Sequence, residues 1–155
     1  MSRSLARVRA ALQAAGLADE IREMGDTRTA ADAALAVGCL PDQIAKSIIF
    51  HGDESGDILL FLTAGGNRVD AARAAELAGE ALCKADAALI RAATGFAIGG
   101  VAPLGHLRAP RAFIDLRLME FGRVWAAAGT PRHVFSIAPP DLIRVSGAQP
   151  AAFTA

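Results

Sequence analysis

A single lysine interrupts an apolar segment in the middle of the chain. Residues 44–50, IAKSIIF, have the composition of a β-strand, in which Lys46 would share a face with Ile44 and Ile48 while Ser47 lies on the other face. Burying an unpaired ammonium group is costly, so Lys46 needs either an anionic partner or an open pocket. Two interpretations stay open: Lys46 extends its charged end to water at a sheet edge, or it binds an anion or a carbonyl group.

Paired glycines mark a second segment that could do chemistry. The sequence of residues 95–103 is GFAIGGVAP, with Gly99 and Gly100 at its centre and Pro103 at its end. Glycines let the backbone approach a ligand closely, and their N–H groups can bind an oxyanion or a carboxylate. The alternative is a bend in a strongly curved sheet. The segment is not a phosphate-binding P-loop, because no Gly-Lys-Ser/Thr follows.

His133 is the one histidine that stays open as a site residue, because it begins a predicted strand directly after a Thr-Pro-Arg turn. No histidine pair has metal-ligand spacing, and the chain has no nucleophile elbow. The sequence therefore offers no metal centre and no catalytic triad. The remaining histidines and both cysteines are expected to be surface or buried structural residues: His51, His106, Cys39 and Cys83.

Short helices and strands alternate around these residues. Thr29 is predicted to cap a helix that ends before Gly38, and the segment 25–28 reads as a loop. The pattern predicts further helices at 4–15, 70–77, 86–93 and from 139, and strands at 20–24, 44–51, 58–64, 112–116, 124–127 and 133–137. Strands 44–51 and 58–64 form a hairpin, which argues against a wholly parallel sheet. The fold class is therefore mixed α/β.

Composition limits the classes of function. The chain has 155 residues, of which 53% are hydrophobic and 21% charged, with a formal net charge of zero. This predicts one globular domain over residues 1–148 and a flexible C-terminal tail over 149–155. A neutral chain is not a general polyanion-binding protein, although a local basic patch stays possible. No signal peptide or membrane-spanning stretch is visible, so we expect a cytoplasmic protein with no membrane partner.

The ordered set of these motifs resembles the YbaK/prolyl-tRNA editing-domain family, in particular its free-standing ProX-like aminoacyl-tRNA deacylases. The resemblance covers about residues 20–145 and rests on these segments: 29–34 (TAADAA), 43–50 (QIAKSIIF), 94–103 (TGFAIGGVAP), 113–115 (FID) and 125–129 (WAAAG). It implies a curved, barrel-like mixed sheet with flanking helices. It also implies an enzyme that hydrolyses the ester of a mischarged tRNA, without metal or cofactor.

The resemblance assigns roles to the residues that stood out chemically. The family's lysine corresponds to Lys46, and its GxxxP loop corresponds to residues 99–103. Lys46 would hold a terminal phosphate or the ester carbonyl, while the backbone of the loop would position the ester and stabilise an oxyanion. The implied catalytic residues are Lys46, Gly99 and Gly100. The implied substrate-binding residues are Thr29, Ser47, Val101, Pro103 and His133.

The resemblance leaves the substrate and partners less defined. Ala127 and Val134 replace the serine and aspartate of the cysteine-selective branch, and His133 lacks the His-Pro context of the alanine-selective branch. We expect tRNA for proline carrying a small amino acid: Ala, Ser, Thr, Cys or 2-aminobutyrate. Prolyl-tRNA synthetase or an elongation factor is a possible partner. Arginines in predicted loops could contact phosphates: Arg28, Arg68, Arg108, Arg111 and Arg132.

Two other functions remain compatible with the residues. One is a non-catalytic module that binds tRNA or a synthetase and regulates it. The other is a small-molecule amidase or esterase that uses the same loop and needs no tRNA. An intact lysine and glycine loop favour catalysis over the regulatory module.

Overall fold

The computed structural model describes residues 2–25, 27 and 29–155. Asp26 and Arg28 of the predicted loop lie outside the described residues. The described part contains helices α1 (Arg3–Ala14), α2 (Ala30–Val37), α3 (Ala71–Ala78), α4 (Ala87–Thr94) and α5 (Pro139–Ser146). It contains strands β1 (Ile21–Glu23), β2 (Ile44–Gly52), β3 (Ile58–Ala64), β4 (Leu82–Lys84), β5 (Arg111–Asp115), β6 (Val124–Ala127), β7 (His133–Ile137) and β8 (Gln149–Ala151). Two 3₁₀ turns occupy Pro41–Gln43 and Leu116–Glu120.

Side-chain caps determine where α2 and α3 begin. The Thr29 hydroxyl accepts a hydrogen bond from the Asp32 N–H at 3.1 Å, as the sequence predicts. The Asp70 carboxylate accepts bonds from the Ala72 and Arg73 N–H groups. α2 ends at Gly38, whose φ of 79° is left-handed and accessible mainly to glycine. These local signals explain why the predicted helix bounds agree closely with the structure.

All eight strands of the described chain form one mixed sheet in which β2 and β3 are central. The strand order is β1, β7, β6, β2, β3, β5, β8, with β4 paired to β2 as well. β2 and β3 are antiparallel, whereas β2 pairs with β6, and β3 with β5, in parallel. The mixed α/β prediction is confirmed. The sheet does not close into the expected barrel-like form, because it is open with β1 and β8 at its ends.

The sheet is covered on both faces, which explains why every residue of β3 is buried. On one face, Leu60 and Leu62 pack in a cluster with Val8 and Leu12 of α1. On the other face, Phe61 packs in a cluster with Ala74 of α3 and other side chains. A third apolar cluster joins α2 to the start of β2 and to β7.

The C-terminal segment is not the flexible tail that the sequence predicts. β8 pairs in parallel with β5, and the Asp70 N–H donates to the Phe153 carbonyl at 2.7 Å. Phe153 is fully buried, and its ring meets Phe61 edge-on with centroids 5.0 Å apart. Burial of this apolar ring on the second face of the sheet anchors the segment. β4 was also absent from the predicted elements.

Candidate active site

A gap in the sheet creates the cavity beside β2. On the side of β2 that faces away from β3, β6 pairs with Ile44 and Ala45, and β4 pairs with Phe50–Gly52. Residues 46–49 have no strand partner on that side in the described chain. Alternate residues of an antiparallel strand direct their N–H and C=O groups to opposite sides, so part of this backbone faces the gap. A cavity of about 320 Å³ opens there.

The cavity brings together most of the residues that the sequence singled out, from four separate parts of the chain. Six of the eight candidates line its wall: Thr29, Lys46, Ser47, Gly99, Val101 and His133. Gly100 and Pro103 do not line it. The loop Gly99–Pro103 therefore contributes to the cavity through Gly99 and Val101, and its other residues do not line the cavity.

Lys46 lies half-buried at the cavity wall and has one partner. Its ammonium donates a hydrogen bond to the Asn67 carbonyl oxygen at 2.7 Å, and no carboxylate pairs with it in the described chain. Burial lowers the pKa of Lys46, and the positive charge of Arg68 adds to this, while Asp115 and Asp42 oppose it. An ammonium group has three donors, so two remain for an anion or a carbonyl.

The turn after β3 holds the carbonyl that Lys46 contacts. Asp115 is only 4% exposed, and its carboxylate accepts bonds from the Ala64 N–H at 3.0 Å and the Asn67 side-chain amide at 2.9 Å. Its other oxygen accepts from the Arg117 N–H at 2.9 Å. Asp115 thus fixes Asn67, which fixes Lys46. Neither Asp115 nor Asn67 was among the site residues predicted from the sequence. The signal for Asp115 was its position as a carboxylate at the end of an apolar strand.

A second carboxylate, Asp42, supports the same turn. It accepts a hydrogen bond from the Gly66 N–H at 2.8 Å and forms an ion pair with Arg117 at 3.0 Å. The hydrogen bond from Arg117 is the main reason that the pKa of Asp42 is lowered. Asp42 and Asp115 are therefore joined through Arg117, and together they hold the turn from both ends.

The glycine loop has a defined conformation at the wall of the same cavity. Gly99 has a φ of 86°, which favours glycine, and the Gly100 N–H donates to the Ala97 carbonyl at 3.0 Å. A Cβ atom on Gly100 would lie 2.7 Å from backbone atoms of Thr130. The Gly100 N–H is thus committed to a turn, so the predicted role of Gly100 as an oxyanion donor needs correction. The Gly99 and Val101 N–H groups contact no acceptor within the described residues.

Ser47 and His133 complete the polar wall. The Ser47 hydroxyl donates to the Val101 carbonyl at 2.8 Å, so Ser47 supports the loop. His133 Nδ1 lies 2.6 Å from the Thr130 hydroxyl, which also accepts from the Arg132 N–H. This arrangement favours the proton on His133 Nε2, which lies 4.0 Å from the Glu23 carboxylate.

The described residues contain no group of three metal-ligating side chains and no helix of a length and apolarity suited to crossing a membrane. A model of the aminoacyl-tRNA editing domain matches residues 25–145, which include all six candidate residues that line the cavity. The chain belongs to the aminoacyl-tRNA editing domain family. The resemblance to the YbaK/prolyl-tRNA editing domains is thereby confirmed.

Two solved structures and one further protein are similar to this chain. A crystal structure described as that of a proposed trans-editing enzyme for prolyl tRNA synthetase is 43% identical, with a TM-score of 0.93 over 100% of this chain and 99% of that one. A scaffold protein from computational epitope grafting is 41% identical, with a TM-score of 0.92 over the same shares. The uncharacterized protein YwhH of Bacillus subtilis is 29% identical over 118 residues, covering 76% of this chain and 74% of its own length.

Proposed function

We propose that this editing domain is a trans-editing deacylase that hydrolyses the ester of a tRNA mischarged with a small amino acid. The family supports aminoacyl-tRNA as the substrate class. The observation that carries the proposal is Lys46, with two unused ammonium donors, in the wall of a cavity that Gly99 and Val101 of the glycine loop also line. The similar structure described as that of a proposed trans-editing enzyme for prolyl tRNA synthetase supports tRNA for proline as the substrate tRNA.

The proposed reaction needs only binding groups from the protein. Lys46 holds the terminal phosphate or the ester carbonyl through charge-assisted hydrogen bonds, and the Gly99 and Val101 N–H groups, which have no acceptor among the described residues, stabilise the developing oxyanion. Water, assisted by a ribose hydroxyl of the substrate, attacks the ester carbon. The ester C–O bond then breaks, and the ribose oxygen leaves with a proton. The products are the free amino acid and uncharged tRNA.

The wall of the cavity supports a small amino acid. Ala127 and Val134 line it where the cysteine-selective branch has serine and aspartate, so this part of the wall is apolar. An apolar pocket distinguishes one methylene by only about 1–3 kcal/mol. Overlapping hydrolysis of alanine, serine, threonine and 2-aminobutyrate esters is therefore part of the proposal, with His133 as the polar group that faces the amino acid.

The net charge of zero bears on how the tRNA is recruited. Neutralisation of phosphates by basic side chains supplies most non-specific affinity for nucleic acid, so this chain would bind tRNA weakly by itself. We therefore include prolyl-tRNA synthetase or an elongation factor in the proposal as the partner that presents the tRNA.

A deacylation panel tests the proposal. Purified protein is mixed with tRNA for proline carrying alanine, serine, threonine, cysteine, 2-aminobutyrate or proline, with and without the synthetase. We expect loss of one or more of the wrong amino acids, with prolyl-tRNA spared. Lys46→Ala abolishes the activity, whereas Lys84→Ala, which removes the chain's other lysine, leaves it unchanged. Activity retained in Lys46→Ala, or no hydrolysis in any mixture, overturns the proposal, and the latter favours a regulatory binding module.

A further inference from the structure

Two side chains hold consecutive carbonyl groups of the glycine loop. The Ser47 hydroxyl donates to the Val101 carbonyl at 2.8 Å. His106 Nε2 lies 2.5 Å from the Ala102 carbonyl oxygen, and because a carbonyl only accepts, this nitrogen carries the proton. The two bonds fix the peptide planes on either side of Ala102. Pro103 follows with a fixed φ, so the end of the loop has little remaining freedom.

An aromatic ring and a guanidinium group surround His106. Its ring meets Phe96 edge-on with centroids 5.3 Å apart, and the Arg7 guanidinium lies 4.5 Å above the Phe96 ring. Arg7 also donates to the Gly105 carbonyl at 2.7 Å. Burial lowers the pKa of His106, and the nearby charge of Arg7 adds to this against the effect of the Ala102 bond. The ring is therefore neutral at physiological pH.

The second ring nitrogen of His106 distinguishes this residue from ordinary core packing. His106 Nδ1 is buried and has no hydrogen-bond partner within the described residues. A buried acceptor without a donor destabilises the folded state, and a purely apolar side chain of similar size would avoid this particular cost. What an apolar side chain could not supply is the hydrogen bond to Ala102.

We propose that His106 is a positioning residue for the loop Gly99–Pro103, acting together with Ser47. It does not touch the substrate, and it acts by holding the backbone from which Gly99 and Val101 line the cavity. The inference rests on the proposed deacylase function, because a misplaced loop would lower the rate of ester hydrolysis. Preorganised backbone donors lose effectiveness with displacements of about 1 Å.

Two variants separate this role from a structural one. His106→Leu removes the donor, and we expect kcat to fall about tenfold or more with KM changed less than about threefold. The melting temperature of this variant should change little, because removal of the unpaired Nδ1 offsets the loss of the donor to the Ala102 carbonyl. His106→Gln places an amide donor near the position of Nε2, and we expect it to recover most of kcat. Full activity in His106→Leu, or equal losses in both variants, overturns the proposal.

A measurement without substrate keeps the inference separate from the proposed function. The imidazole ¹⁵N shifts of the wild-type protein should show a neutral ring with its proton on Nε2. The backbone amide signals of Val101 and Ala102 should move in His106→Leu and in Ser47→Ala, and much less in His106→Gln. Unmoved loop signals in His106→Leu contradict the positioning role, whether or not the protein hydrolyses aminoacyl-tRNA. An inactive wild type with the expected shifts contradicts the proposed function alone.

Discussion

The Lys46 ammonium group lies 2.7 Å from the carbonyl oxygen of Asn67, which is its one hydrogen-bond partner in the described chain. A carbonyl oxygen orients an ammonium group without neutralising it. Lys46 thus keeps its positive charge and two donors on the cavity side, as a phosphate or ester carbonyl would require. The structural neighbours of Lys46 therefore hold it in place and leave its charge available.

The titration of Lys46 should reflect its surroundings. Burial and the charge of Arg68 both favour the neutral amine, so the pKa of Lys46 lies below the ordinary lysine value. NMR of ¹³C-labelled lysine follows the titration of Lys46. In Arg68→Gln the Lys46 titration should move to higher pH, whereas Arg108→Gln serves as the control and should leave it unchanged. A Lys46 titration at the ordinary lysine value would contradict this account.

Asp115→Asn should weaken both the fold and the site. The carboxylate accepts three hydrogen bonds from N–H groups. An amide nitrogen in place of one oxygen could not accept the hydrogen bonds that this oxygen accepts. We expect a loss of about 1–3 kcal/mol in the free energy of unfolding in urea. The rate of deacylation should fall further than stability alone explains, because Asn67 no longer fixes Lys46.

Asp141→Asn is the matched control for Asp115. Asp141 is partly exposed and forms an ion pair with Arg144 three residues later. Such surface pairs contribute about 0–1 kcal/mol, so this variant should differ little from wild type in urea unfolding and in activity. Equal effects of the two substitutions would mean that the bonds of Asp115 have no special importance.

Gly100→Ala should disturb the loop although Gly100 does not line the cavity. The added Cβ would meet the backbone of Thr130 at 2.7 Å, and backbone atoms cannot move aside as a flexible side chain does. We expect a loss of about 1–3 kcal/mol in stability, with reduced activity. Gly122→Ala is the control, because no atom lies within 4 Å of its added Cβ. Thermal unfolding and deacylation rates of both variants test this prediction. A Gly100→Ala variant with unchanged stability and activity would refute the close contact between Gly100 and the Thr130 backbone.

Phe153→Ala should destabilise the protein despite its position near the C-terminus. Its ring is fully buried against Phe61 on the second face of the sheet. Large-to-small changes of buried aromatic residues cost about 3–5 kcal/mol. The control Leu116→Ala removes a side chain that is 49% exposed, so its effect on the urea midpoint should be small. An unchanged urea midpoint in Phe153→Ala would support the predicted flexible tail over residues 149–155.

Local patterns in the sequence determined the elements and the principal chemistry. The Thr29 cap, the glycine after α2 and the alternation around Lys46 are interactions between near neighbours, so they can be read from a few consecutive residues. The same holds for the glycine pair at 99–100, which marks a place where side chains would obstruct the backbone. For this reason the sequence alone indicates Lys46 and the glycine loop as candidate site residues, without any tertiary contact.

Only the tertiary structure decided how these pieces form a site. The gap between β6 and β4 along β2 depends on strands that are distant in the sequence. The bond from Ser47 to Val101 spans 54 residues, and that between Asn67 and Asp115 spans 48. The burial of Phe153 likewise depends on Phe61, far earlier in the chain. Such contacts follow from packing between separate elements, and local propensity carries no information about which of them will meet.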